Sequence, residues 1–370
     1  MNNFARWYDV LMTDEPYRAE ELCDSIRMPS TIRECCQNML TEQWAHRLPF
    51  VQTRSPAFLA SLTLNSAIEK AERNHPAPLV VVDFCAGGGG PTPIFEQLIN
   101  RHRKAVGKDP MKFILTDLYP NPAAWTKVCK KQPHLFFYGK PVDATRAPKS
   151  CRSLDSNGPE PMETEDSEGV TAGRKISRED RVFRLFNLAF HHFDDKGATR
   201  LLADTMEHSD GIAIIELQDR RLGCLSMMFF NGVLALLVTV FWFWPLTSRA
   251  SGKRKQNLLQ IFLTYTGILP FVLWYDGLAS CLRTREFAEV MRLAAKAQGL
   301  DEHEHESPAI DNNACEIGEW QFSMTHERHT WPFCYMNCIV GTRKFSKERE
   351  DSVAEVQASS SSSSKVRFGV

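Results

Sequence analysis

The chain has 370 residues, of which 43% are apolar and 24% charged, and its formal net charge is −1. That is an ordinary globular composition, long enough for one large α/β domain with additions, and the near-neutral balance excludes a global basic field for nucleic acid. Eleven cysteines, an odd number without paired spacing, read as reduced thiols in a cytosol-facing protein, since Cys35 and Cys36 are adjacent and Cys334-x-x-x-Cys338 fits no common zinc spacing.

Residues 1–78 are expected to form a helical region. Its start carries Asp9, Asp14, Glu15, Glu20 and Glu21 and no apolar run, so no secretory signal is expected there. Residues 20–28 and 30–44 carry apolar residues at helical spacing, with Ser30 as an N-cap, and a helix over 66–74 ends before Pro76 and Pro78. From residue 79 strands and helices alternate. Strands are expected at 79–84, 112–116, 135–138, 181–190 and 211–216, with helices at 93–103, 123–131 and 196–208. Residues 149–180 are dominated by Ser, Asp, Glu, Gly and Pro, and with so little to bury they are expected to be a disordered insertion.

Residues 222–248 contain no charge and are dense in Leu, Val, Phe and Trp, and residues 256–275 form a second uncharged run. At about 1.5 Å per residue each is long enough to cross a bilayer core of roughly 30 Å. Trp242, Trp244 and Trp274 near the ends read as interface anchors, and Pro270 as a kink in the second helix. The expectation is a hydrophobic hairpin over 222–281 with two transmembrane helices, 222–246 and 257–275; an interfacial or re-entrant hairpin and buried core helices are the alternatives. Beyond it, 284–298 is amphipathic, and 320–325 and 333–342 read as a closing β-hairpin. The tail from 345 to 370 is charged, then Ser-rich, and is expected to be disordered. The fold class expected is α/β: a doubly wound, mostly parallel seven-stranded sheet over 79–221 and 282–344, with the helical region before it and the hairpin inserted.

The most specific stretch is Val80-Val81-Val82-Asp83-Phe84-Cys85-Ala86-Gly87-Gly88-Gly89-Gly90-Pro91. A buried strand runs there into a loop whose backbone must approach a ligand closely. The absence of a following Gly-Lys-Ser/Thr excludes a P-loop, and the glycines do not make a full Gly-x-Gly-x-x-Gly turn. The stretch resembles the first motif of class I, Rossmann-like, S-adenosylmethionine-dependent methyltransferases; Cys85 stands where that family often has its first glycine. Residues 83–91, 141–145, 190–195 and 273–284 are also similar to a membrane-associated set of such enzymes in bacteria and fungi, with a hydrophobic hairpin after strand five. The resemblance implies methyl transfer with S-adenosylmethionine as cofactor and names no substrate. It also implies that the N-terminal helices cap the active site, against the simpler reading that they pack on the sheet.

In an open α/β sheet, ligands bind beyond the carboxyl ends of the strands, near the switch in strand order. Asp83, Asp117, Asp143, His191, His192 and Glu216 all fall at or just after successive strand ends. Asp83, Cys85, Gly87, Gly88 and Gly89 are the candidates for the methionine end and ribose of the cofactor, against a tight turn that binds nothing. The resemblance implies that Asp117 accepts both ribose hydroxyls, the alternative being a cap on the turn that follows. Asp143 either bonds the adenine amino group or is a plain loop aspartate.

The segment 190–195 resembles the motif after strand four of small-molecule O-methyltransferases, where a histidine can act as base. His191 is preferred over His192, because only one of two adjacent histidines easily faces the site; the alternative is that both pack or cap, with Asp194 an N-cap. Glu216 is a catalytic candidate, while Arg220 and Arg221 read as headgroup contacts. Asp276 is either functional at membrane depth or merely interfacial. The run 302–306 of alternating Glu and His is read as a solvated loop, so no metal is expected.

The function expected is a membrane-anchored methyltransferase with two spans and a cytosolic catalytic domain. Its acceptor is expected to be an oxygen or nitrogen of a lipophilic small molecule or lipid. A membrane-bound protein acceptor and a catalytically silent cofactor-binding scaffold are the alternatives. Nucleic acid is not an expected partner, and the oligomeric state is left open.

Overall fold

The structure is a computed structural model describing residues 16–74, 78–147, 181–244, 251–300 and 309–344. The expected disordered segments at 149–180 and 345–370, the 302–306 run and the end of the first expected span lie outside the described residues.

Eight strands form one mixed sheet in the order β3-β2-β1-β4-β5-β8-β7-β6. Strands β1 (Leu79–Phe84), β2 (Lys112–Leu115), β3 (Leu135–Phe137), β4 (Arg181–Asn187) and β5 (Gly211–Glu216) run parallel. The closing strands β6 (Ala314–Ile317), β7 (Trp320–Thr330) and β8 (Cys334–Arg343) are antiparallel, with β8 paired to β5. The seven strands expected are therefore corrected to eight. The additional strand, β6, hides in sequence because it is short and pairs only with the outer edge of β7. The exposed Glu327 and Arg328 likewise masked the far half of β7.

Strands β1 and β5 are buried at every residue, which is why they read as continuous apolar runs. Their side chains alternate between two layers. Leu79 and Val81 pack with helices α2 (Pro56–Asn74), α3 (Thr92–Ala105) and α4 (Pro122–Cys129) through Leu64, Ile68, Phe95, Ile99 and Trp125. Val80, Val82 and Phe84 face α5 (Asp195–His208) and α10 (Phe287–Ala297) through Leu201, Leu202, Val290 and Met291. Asp194 caps α5, accepting from the Gly197 amide at 2.6 Å, as expected. The helix expected over 20–28 is reduced to a single turn, Leu22–Asp24, and α1 follows at Ser30–Ala45 with Ser30 as its first residue instead of its cap.

The hydrophobic insertion departs most from expectation. Among the described residues, no single helix is long and apolar enough to cross a membrane. The two expected spans are each broken: α6 (Leu222–Phe229) meets α7 (Asn231–Trp242) at 49°, and the second run from Arg254 to Arg283 bends by 76° between α8 (Ser251–Tyr265) and α9 (Ile268–Arg283). Gly267 adopts φ +83°, a left-handed conformation that interrupts the helix. Pro270 then sits in the first turn of α9, where its missing N–H leaves no bond unmade, so it starts a helix instead of kinking one. At Gly232 a Cβ would lie 2.6 Å from the Pro270 carbonyl oxygen, so α7 and α9 cross backbone to backbone.

One side of this layer packs on α1 through Cys35, Cys36, Met39, Leu263, Leu269 and Val272. The other side exposes Phe229, Phe230, Leu237, Phe241, Phe262 and Phe271, each more than half accessible.

Candidate active site

The strand order reverses direction at β1, whose neighbours are β2 and β4, and the candidate residues collect at the carboxyl edge there. Leaving β1, Cys85 and Gly87 both take left-handed backbone conformations, φ 62° and 52°. Glycine pays nothing for this shape and cysteine does, which accounts for the glycine expected at position 85.

The loop is held by its own bonds. The Gly87 amide donates to Asp117 Oδ2 at 2.8 Å, the Trp125 indole donates to the Gly87 carbonyl at 2.9 Å, and the Gly89 amide donates to the Ala86 carbonyl at 2.7 Å. Asp117 Oδ1 accepts from the Tyr119 amide at 2.8 Å, so this carboxylate both caps its own turn and tethers the glycine loop. Burial raises its pKa against these bonds. Each oxygen, with one amide bonded, keeps a lone pair for a further donor.

Asp83 faces the other way. It is 1% exposed and accepts from the Thr92 hydroxyl and from Asn187 Nδ2 (3.3 Å), tying the end of β1 to α3 and β4. Burial lifts its pKa to about 8, outweighing those donors. It therefore supports the loop from beneath instead of lining the cleft. Asp143 is exposed and its Oδ1 accepts from the Thr145 amide and hydroxyl, both at 2.8 Å. Cys85 lies within electrostatic reach of Asp117, Asp83 and Asp143, and burial with these charges raises its thiol pKa. Asp117 and Asp143 make that edge acidic.

Helix α1 covers the loop. Side-chain atoms of Gln37 stand 3.3 Å from where a Gly87 Cβ would be, so the bare backbone is what lets α1 approach. Between them remains a cavity of about 110 Å³ lined by Glu34, Gln37, Asn38, Gly88, Ala124 and Lys127 among others. Ligand pockets generally run from about 300 Å³ upward.

The two histidines lie in the turn Phe190–His192 beyond β4, but they are not alike. His191 is buried between two carboxylates: Nδ1 donates to Glu216 Oε2 at 2.8 Å and Nε2 lies 3.3 Å from Glu21 Oε1. Burial alone would lower its pKa, yet Glu216 and Glu21 outweigh burial and carry it to about 10. An imidazole held protonated in this way is no base near neutral pH. His192 is about one-third exposed, and its Nδ1 lies 3.1 Å from Asp24. The turn itself is pinned by arginines. Arg283 donates to the His191 and His192 carbonyls at 3.3 and 3.2 Å, and Arg285 donates to the Phe193 carbonyl and to Asp195, each at 2.7 Å.

The structure thus gathers Asp117, Asp143, Cys85 and Gly87 at one edge, and brings Glu216 to His191. It places Arg220 in the interior, 2.9 Å from Glu289, correcting its reading as a headgroup contact. Asp276 is neither interfacial nor free: it accepts from the Leu22 and Cys23 amides at 2.6 and 3.1 Å. Sequence reasoning missed Glu21, Asp24, Gln37 and Trp125. An acidic pair just before a Pro-Ser helix start was the only signal for the first two.

The sequence matches no protein-family profile and no curated protein. Among solved structures it is similar to a magnesium protoporphyrin IX methyltransferase from Synechocystis PCC 6803 with bound SAH, at 10% identity and TM-score 0.34 over 92% of this chain and 94% of that one. It is also similar to the plantazolicin methyltransferase BpumL, at 10% identity and TM-score 0.36 over 86% and 100% of the two chains. A candidate Zn-dependent alcohol dehydrogenase from Rhodobacter sphaeroides scores alike, at 11% identity and TM-score 0.32 over 85% and 98%. With every TM-score below 0.5, these likenesses decide neither fold nor function, and the reading rests on strand order and site geometry.

Proposed function

We propose that the chain is an S-adenosylmethionine-dependent methyltransferase acting on a lipophilic acceptor at a membrane surface. The observation that carries the reading is the Asp117–Gly87 hydrogen bond at the switch point of the sheet: a carboxylate with spare lone pairs, locked to a glycine loop. Such a carboxylate suits the two hydroxyls of a ribose, and its acidic neighbour Asp143 on the same edge suits a cationic sulfonium nucleoside.

The bound cofactor supplies an electrophilic methyl group on sulfur. Asp117 orients the ribose, the backbone at Gly87 and Gly88 borders the methionine end, and Asp143 borders the base. The loop fits a nucleoside only once Gln37 withdraws, because the present cavity is too small for one. Methyl transfer is an in-line displacement, so positioning supplies much of the rate. His192, with its ring toward solvent, is the histidine placed to meet an acceptor, and His191 with Glu216 and Glu21 holds the turn that aims it. The exposed apolar face of the insertion supports contact with lipid, hence a lipophilic acceptor.

Calorimetry on the detergent-purified full chain tests the cofactor. S-adenosylmethionine is expected to bind, and Asp117→Ala to weaken binding at least tenfold. Well-folded wild type that binds nothing sinks the enzyme reading.

A further inference from the structure

We infer that Glu21, His191 and His192 form a binding site for a divalent first-row transition ion. The juxtaposition joins the N-terminal strap, the described residues 16–28 that precede α1, to the turn after β4. Glu21 Oε1 lies 3.3 Å from His191 Nε2, Glu21 Oε2 lies 3.9 Å from His192 Nε2, and one donor atom from each residue falls within 4.8 Å of the others. An ion with bonds of about 2.1 Å sets tetrahedral donors about 3.4 Å apart, so modest side-chain movement brings all three onto one ion.

The shell behind the three donors has the form that metal sites use. A ligating histidine turns one nitrogen to the metal and gives its other N–H to a carboxylate or carbonyl. Both histidines do this here: Nδ1 of His191 is engaged by Glu216 at 2.8 Å and Nδ1 of His192 by Asp24 at 3.1 Å. Both Nε2 atoms are thereby turned toward the Glu21 carboxylate. The Gln218 amide also donates to Glu216 at 3.2 Å, fixing that support.

The backbones carrying the ligands are equally constrained. Arg283 holds the carbonyls of both histidines, and Asp276 holds the amides of Leu22 and Cys23 next to Glu21. Charge agrees with a dication. The carboxylates of Glu21, Asp24 and Glu216 surround the two rings and face the single guanidinium of Arg283, and an ion takes the place of any proton on the two Nε2 atoms. Arg283 Nη1 is 3.4 Å from Glu21 Oε1, so that oxygen is shared and Oε2 is the freer donor. Glu21 and His191 are closed off from solvent, and the ion is reached past the half-open His192. Two imidazoles and a carboxylate leave coordination positions open on that side, a donor set suited to Zn²⁺, Fe²⁺ or Co²⁺.

Cobalt is the probe, because its visible absorption reports nitrogen ligation. The full-length protein, stripped with chelator, is titrated with Co²⁺ and the affinity confirmed by equilibrium dialysis. One equivalent is expected to bind, with His192→Gln and Glu21→Gln each weakening it at least tenfold and Asp24→Ala by about tenfold. His192→Gln is the decisive variant, since a residue open to solvent can change without unfolding the chain. Wild type that takes up no cobalt overturns the site, as does unchanged affinity in both His192→Gln and Glu21→Gln. The assay contains no methyl donor, so it reads the ion site alone: a protein that takes up cobalt here yet fails to bind S-adenosylmethionine in calorimetry leaves this site standing and sinks only the proposed function.

Discussion

Asp83 turns its carboxyl into the interior, where burial lifts its pKa from 3.8 to about 8. The folded protein therefore holds this proton more tightly than the unfolded chain does. Stability is fully present below pH 4 and is lost as pH rises toward 8. Asp83→Asn removes the ionisation: in urea unfolding, the wild-type midpoint should fall across that window while the variant stays flatter. Parallel pH profiles for the two proteins would place the ionisable group elsewhere.

The acidic residues at the strand ends were legible, because they close apolar runs. Their roles were not, since a strand end does not say which side chain turns toward the cleft. Asp117 stands two residues beyond β2 and reaches the loop, whereas Asp83 lies within β1 and is enclosed. The preference for His191 over His192 rested on adjacency alone and could not foresee that Glu21 and Glu216 meet on the His191 ring, which only the folded chain brings about.

At the scale of elements, α1 is the part of the fold that must yield to a nucleoside. Gln37→Trp fills the cavity beneath it and should weaken S-adenosylmethionine binding at least tenfold, while Gln37→Ala should leave it equal or tighter. Equal affinity in the tryptophan variant would mean that the cofactor enters by another face.

The parallel strands were readable from short, mostly apolar runs closed by polar residues, and α1 from its helical spacing. What α1 covers was not readable, because the resemblance and simple packing both placed a helix there. The broken spans show a different failure. A hydropathy window counts apolar residues and ignores geometry, yet Gly232, Gly267 and Pro270 were visible in the runs and are the residues at which the helices cross and turn.

Across the whole molecule, the insertion presents an apolar surface that a free monomer in water has no use for: Phe241 is 80% exposed and Phe262 62%. Flotation with phosphatidylcholine vesicles should carry the protein upward, and Phe241→Glu combined with Phe262→Glu should leave most of it at the bottom. Wild type that stays with the soluble fraction would argue that the face meets another protein. The composition of the insertion showed its excess of apolar residues, and the folded chain shows which of them stay exposed, because α1 covers only one side of the layer.

The last helix of the insertion, α9, has a consequence for anyone wishing to remove the exposed apolar face. The same helix carries Phe271 on the apolar face, Asp276 under the N-terminal strap and Arg283 against the carbonyls of both histidines. The insertion is therefore not a detachable module. Excising residues 222–281 to obtain a water-soluble core would take Asp276 with it, free the segment that bears Glu21, and cut Arg283 from the helix that aims it. The apolar face has to be removed by repainting the outer surface, one phenylalanine at a time, with the helix left whole.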